Sequence, residues 1–294
     1  MRLRARSIGP IARRTLRDAA AGSVIAVFGS SFYARFRSQP ICIGDTSLPR
    51  GPLNIVLADS GSARFSDWLA HGDPVRLMSS SNFAHTQEVT IDISNAQNWS
   101  PPVPSPIAQR FVGSGLAALR RLSPDPPAEG LGQLLGSCRI ETPLTRIARD
   151  AATHLQEVIA RGGVPDPQFI ARIIGLGPGL TPSGDDYLGA LLIALHQLDR
   201  GDLAEPIWQG VAANIDSLTT EISAAHLRAA AEGFGSEPLH DLLDDVVAGG
   251  SASLANKLAA LTRIGHTSGW DTLAGAIAAL EAMVDADAYC AAST

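Results

Sequence analysis

The chain has 294 residues, 45% hydrophobic and 18% charged, with a formal net charge of −6. A chain of this length buries roughly three quarters of its unfolded surface, so a core needs neither disulfides nor metal. The pI near 5.6 withholds the basic footprint of a nucleic-acid binder. The longest strongly apolar stretch, Leu188 to Leu195, falls far below the roughly 20 residues that cross a bilayer, which excludes a transmembrane helix. The basic residues are 22 arginines and a single lysine, Lys257, which follows no glycine-rich loop, so a Walker-type phosphate loop is excluded too. Cys42, Cys138 and Cys290 lack any metal or redox spacing, which points to a reduced, cytoplasmic protein.

In chain order, the first 17 residues hold six arginines and no acid, and read as a basic N-terminal helix whose regular spacing resumes after Pro10. Short β-branched or aromatic runs follow at Ser23 to Phe28, Phe32 to Phe36, Ile41 to Ile43, Asn54 to Leu57, Val75 to Met78 and Glu88 to Ile93, separated by turn residues. They predict a mainly antiparallel β domain or small barrel. Pro101, Pro102, Pro104 and Pro106 then interrupt both helix and strand, and the expected boundary separates residues 1–103 from 104–294.

Beyond it the apolar period changes. Leu116, Leu119 and Leu122, then Leu144, Ile147 and Ala151, then Leu155, Val158 and Ile159 recur as helix faces do. A loop is expected around Pro124, Pro126, Pro127 and Gly130. Strands first and helices after predict an α+β protein whose larger, helical domain carries the site.

The chemistry concentrates in Gly175-Leu176-Gly177-Pro178-Gly179-Leu180-Thr181-Pro182-Ser183-Gly184-Asp185-Asp186, which runs directly into an apolar helix. Gly177, Gly179 and Gly184 let backbone approach a ligand, Thr181 and Ser183 add hydroxyls, and a helix N-terminus offers unpaired N–H groups. The plainer reading is a capping box of Ser183 with Asp186; capping alone does not call for the glycines. If Asp186 caps back to Ser183, Asp185 is the free carboxylate, able to act as base, orient a substrate amide or hold a magnesium ion. No other cofactor and no other metal site is expected. A carboxylate beside a bound anion implies a small anionic substrate that also bears an amide.

Ser268 to Leu280 aligns without gaps on Ser183 to Leu195 as a weak internal repeat, pairing Ser268 with Ser183 and Asp271 with Asp186. His266 and Thr267 precede this second start, and His266 is the second catalytic candidate beside Asp185. Between the two, Thr219, Ser223 and His226 fall on one helical stripe that can line a pocket. His240, with Asp241, Asp244 and Asp245, reads as a solvated helix face. The two loops are expected to converge on one substrate site made by Gly177, Gly179, Thr181, Ser183, Gly184, Asp186, Thr219, Ser223, His226, Thr267, Ser268 and Asp271.

The segment Gly175 to Asp186, the stripe from Thr219 to Leu227 and Gly265-His266-Thr267-Ser268-Gly269-Trp270-Asp271 together resemble the AllH-like family, long described as a domain of unknown function, which includes the AllH-type subunit of oxamate carbamoyltransferase. The likeness covers mainly residues 165 to 285. Tyr187 departs from it, since the family more often has Phe after the paired Asp. The resemblance implies a subunit that works with companion enzyme subunits in purine or allantoin catabolism, converting oxalurate and phosphate to oxamate and carbamoyl phosphate. A related enzyme acting on another small carboxylate or amide, and a non-catalytic anion-binding or regulatory protein, are the competing readings; a homo-oligomer is compatible with each.

Overall fold

The computed structural model describes residues 2–59, 64–78, 89–103, 111–122, 125–135 and 141–292. The chain divides into two compact units, Met1–Pro101 and Pro102–Thr294.

The first unit is a barrel. Its strands are β1 (Arg2–Ile8), β2 (Ala21–Val27), β3 (Ser31–Phe36), β4 (Gln39–Gly44), β5 (Asn54–Asp59), β6 (Pro74–Met78), β7 (Val89–Asp92) and the short β8 (Gln97–Asn98), with helix α1 (Pro10–Asp18) after β1. They run in the order β5-β4-β3-β2-β6-β7-β1-β8, and β5 also pairs with β1, closing seven strands into a ring with β8 appended. Pairing is mixed rather than mainly antiparallel: β4–β5, β6–β7, β1–β7 and β1–β8 are parallel. Fully buried Phe32, Phe36, Ile41, Ile43, Ile55, Leu57 and Ile91 belong to its core. All six predicted runs are strands, Glu88 alone lying outside the described residues.

The arginine-rich start is corrected. It is helical only from Pro10 onward, whereas Arg2–Ile8 is a strand with Arg2, Arg4 and Arg6 exposed and Leu3 and Ala5 buried. That alternation has the period of two expected of a half-buried strand.

The second unit is helical: α2 (Val112–Leu122), α3 (Pro143–Ala160), α4 (Pro167–Ile173), α5 (Ser183–Gln197), α6 (Gly201–Ala212), α7 (Ile215–Leu218), α8 (Glu221–Ala231), α9 (Glu237–Val247), α10 (Leu254–Thr262) and α11 (Ser268–Ala292). Pro126, Pro127 and Gly130 lie in the loop after α2, as expected; Pro124 lies outside the described residues. Helix α3 begins with a capping box, in which the Thr142 hydroxyl accepts the Thr145 N–H and the Thr145 hydroxyl accepts the Thr142 N–H. Helix α5 is apolar around its circumference and almost wholly buried, which makes it the central helix. Helix α11 lies along it so closely that a Cβ on Gly275 would fall 2.0 Å from the Tyr187 carbonyl oxygen.

The His240 region is also corrected. His240 and Asp245 are buried; the His240 Nε2 accepts the Gly235 N–H, and Asp245 accepts from Ser251 and Ser253 and pairs with Lys257 at 3.2 Å. Among the described residues no helix is long and apolar enough to cross a membrane.

Candidate functional site

The glycine-rich segment is the turn between α4 and α5. Gly175, Gly177 and Gly179 all have positive φ, the region in which only glycine rests without strain. The turn folds back on α5, since the Gly184 N–H donates to the Leu176 carbonyl and Gly177 lies against Ser183. Its tip, Pro178 to Leu180, is exposed, and nothing lies within 4 Å of where a Gly179 Cβ would stand.

The two acids of this helix start have roles opposite to those expected. Pro182, not Ser183, is the N-cap, and no side-chain capping bond forms, so Asp186 does not cap to Ser183. Asp185 is buried and saturated. Its Oδ1 accepts the Gly175 N–H at 2.8 Å, while Oδ2 accepts the Ser223 hydroxyl at 2.6 Å and the Thr219 hydroxyl. A free base or a bound magnesium ion at Asp185 would have to displace these donors. Among the described residues no group of three or more His, Cys, Asp or Glu could hold a metal ion.

Helix α8 is thereby tied to the loop. Thr219 precedes the helix in extended conformation, Thr220 caps it through the Ser223 N–H, and the Thr220 hydroxyl donates to the Leu180 carbonyl at 2.6 Å. The stripe of Thr219 and Ser223 therefore serves an internal carboxylate. His226 lies one turn further on, and burial lowers its imidazole to about 4, so it is neutral at pH 7.

The second start meets the first directly. The Thr181 and Ser268 hydroxyls are 3.2 Å apart. The contact is reinforced crosswise: Ser268 interacts with Asp186, and Ser183 with Asp271. Gly184 and Gly269 play equivalent parts, because a Cβ on either would sit about 2 Å from a backbone carbonyl of the preceding helix, Ile173 or Leu261. Asp271 is almost fully buried; its Oδ1 accepts the Leu131 N–H, and Thr267 packs beside it against Gly130.

One oxygen of Asp186 and one of Asp271, Oδ2 in each, is buried with no hydrogen-bond partner among the described residues. Burial, with the Asp271 and Asp185 carboxylates nearby, pushes the Asp186 carboxyl well above the usual range despite Ser268. Burial also raises Asp271, outweighing its hydrogen bonds from Leu131, Ser183, Thr267 and Gly132. Asp186, not Asp185, is the acid with unspent capacity. His266 is 81% exposed, and its nearest acid is Glu129 at 3.7 Å; it joins the cluster through the chain alone.

Sequence reasoning missed Gly175, Thr220 and Leu131. Thr220 carried a signal, a threonine three residues before Ser223 at a helix start. Leu131 carried none, since it donates its N–H to a carboxylate 140 residues away.

No solved structure matches the chain. Residues 173–280 match the family model described as oxamate carbamoyltransferase subunit AllH, a span that begins at the end of α4 and contains both Ser-Gly-x-Asp starts and the helix that Asp185 ties to them. This stretch, which is similar to that family, holds the whole hydrogen-bonded cluster except Gly130 to Gly132.

Proposed function

We propose that this chain is the AllH-type subunit of a cytoplasmic oxamate carbamoyltransferase, acting with companion subunits in purine or allantoin catabolism. The supporting observation is the direct meeting of the two helix starts at Thr181 and Ser268, inside the matched residues and beside an exposed glycine-rich tip. In the forward reaction a phosphate oxygen attacks the terminal ureido carbonyl of oxalurate. The C–N bond to the oxamate nitrogen breaks, and that nitrogen takes up a proton. Loop N–H groups and the Thr181 and Ser268 hydroxyls suit the anionic oxygens. Asp186, whose carboxyl burial and acidic neighbours push well above the usual carboxylate range, suits the proton transfer.

The test is reconstitution with the companion subunits, followed by oxalurate-dependent formation of carbamoyl phosphate from inorganic phosphate. Ser268→Ala and Asp186→Asn are each expected to lower kcat at least tenfold, about 1.4 kcal/mol of transition-state stabilisation, without dissociating the complex. An assembled complex whose turnover ignores both substitutions removes the site from the chemistry. The engagement of Asp185 by three internal donors favours a second reading, in which the loop binds an anion without performing catalysis. Oxalurate binding with no turnover in the full complex is its signature.

A further inference from the structure

A polar cavity, of about 100 Å³, lies between α3, α5 and α11, and none of the loop residues described above lines it. Its walls come from two matching helical stripes. Arg149, Ala152, Thr153 and Gln156 line it from α3, and Ala274, Ile277, Ala278 and Glu281 from α11, each at the i, i+3, i+4, i+7 spacing of one helix face. Leu134 and Leu135 complete the apolar part, and Tyr187 of α5 lines it from the core.

Two groups there lack partners. The Tyr187 side chain is almost wholly buried, yet no hydrogen bond joins its phenol to any described residue. Burial, and secondarily the Glu281 carboxylate, keeps that phenol protonated and hence a donor. Arg149 likewise has no hydrogen bond or ion pair to a described residue. Glu281, by contrast, is occupied by Arg120 at 2.6 Å and by the Gln156 amide at 3.2 Å. The uncompensated charge in the cavity is therefore that of Arg149, and the donor with no protein acceptor among the described residues is the Tyr187 phenol. A guanidinium and a phenol without acceptors on the walls of one cavity present convergent donors to an oxygen-bearing ligand.

We infer that this cavity binds a small monocarboxylate, its carboxylate paired with Arg149 and a second oxygen accepting from the Tyr187 phenol. The volume lies well under the ~300–1,000 Å³ of sites for drug-sized ligands and restricts the ligand to a few non-hydrogen atoms. A guanidinium fork matches a carboxylate in two parallel bonds, and the apolar walls suit a short carbon body. Tyr187 follows Asp186 directly, and consecutive helical residues point about 100° apart, so one helix turn serves two separate sites.

The test uses the full chain and two probes of nearly equal size, pyruvate and propionate, which differ in the second oxygen. Titration calorimetry should give saturable pyruvate binding in the millimolar range or tighter and weaker propionate binding. Arg149→Gln should weaken pyruvate at least tenfold. Tyr187→Phe, which keeps the ring and therefore the packing, should abolish the preference for pyruvate while leaving the melting temperature near that of the parent. Absence of pyruvate binding, equal affinity for both probes in the unaltered chain, or indifference to both substitutions overturns the proposal. Loss of pyruvate binding in Ser268→Ala would place the ligand at the loop and overturn it as well.

Discussion

The two helix starts of the second unit share a pattern, Ser183-Gly184-Asp185-Asp186 and Ser268-Gly269-Trp270-Asp271, and they use it alike at three positions and differently at the third. Each glycine admits the preceding helix, and each serine reaches toward the last acid of the other start. Asp185, however, binds the glycine loop and α8 to α5, whereas Trp270 packs against Gly132. The shared positions hold the helices together, and the divergent one decides what each start recruits. A repeat at sequence level thus carries its scaffold in the matching residues and its individuality in the mismatch.

The largest effect is expected where the two starts agree. Gly184→Ala and Gly269→Ala each force a Cβ onto a backbone carbonyl, and each should cost about 3 kcal/mol or more in chemical denaturation. A strong effect at one and none at the other would break the equivalence. Next comes the position where they differ. Asp185→Asn places an amide donor among three donors and should cost about 2–3 kcal/mol, with faster hydrogen exchange in the 175–181 loop and at the start of α8.

Asp186→Asn sharpens the contrast between adjacent acids. Because the folded carboxyl of Asp186 is raised above its ordinary 3.8, its protonated form stabilises the fold at low pH, and that contribution is lost as pH rises from about 4 through the folded value. The variant, having no proton to lose, should gain melting temperature relative to the parent as pH increases. A constant difference from pH 4 to pH 8 would contradict the raised value. Smallest is Gly179→Ala at the exposed tip, where only the positive φ opposes the methyl. About 1 kcal/mol or less of stability should be lost, and any ligand held by the loop should bind more weakly.

Local pattern in the sequence determined much of this protein. Alternation and turn residues specified six barrel strands, the 3.6-residue period specified the helices, and the glycines announced the turn before α5. The same alternation was present in Arg2 to Ile8, but the charge of three arginines masked it. Proximity in space was decided only by tertiary structure. The capping box that Ser183 and Asp186 suggested is absent because the N-cap falls on Pro182, whose side chain has no acceptor, and Asp185 instead takes three donors from the loop, Thr219 and α8. His240 and Asp245, polar in sequence, are buried because partners at residues 235, 251, 253 and 257 satisfy them. Arg149, Tyr187 and Glu281 converge on one cavity from three helices. Secondary structure follows from spacing along a few turns, but the cost of burying a polar group depends on what folds against it, and here the partners stand from 5 to 140 positions away in the chain.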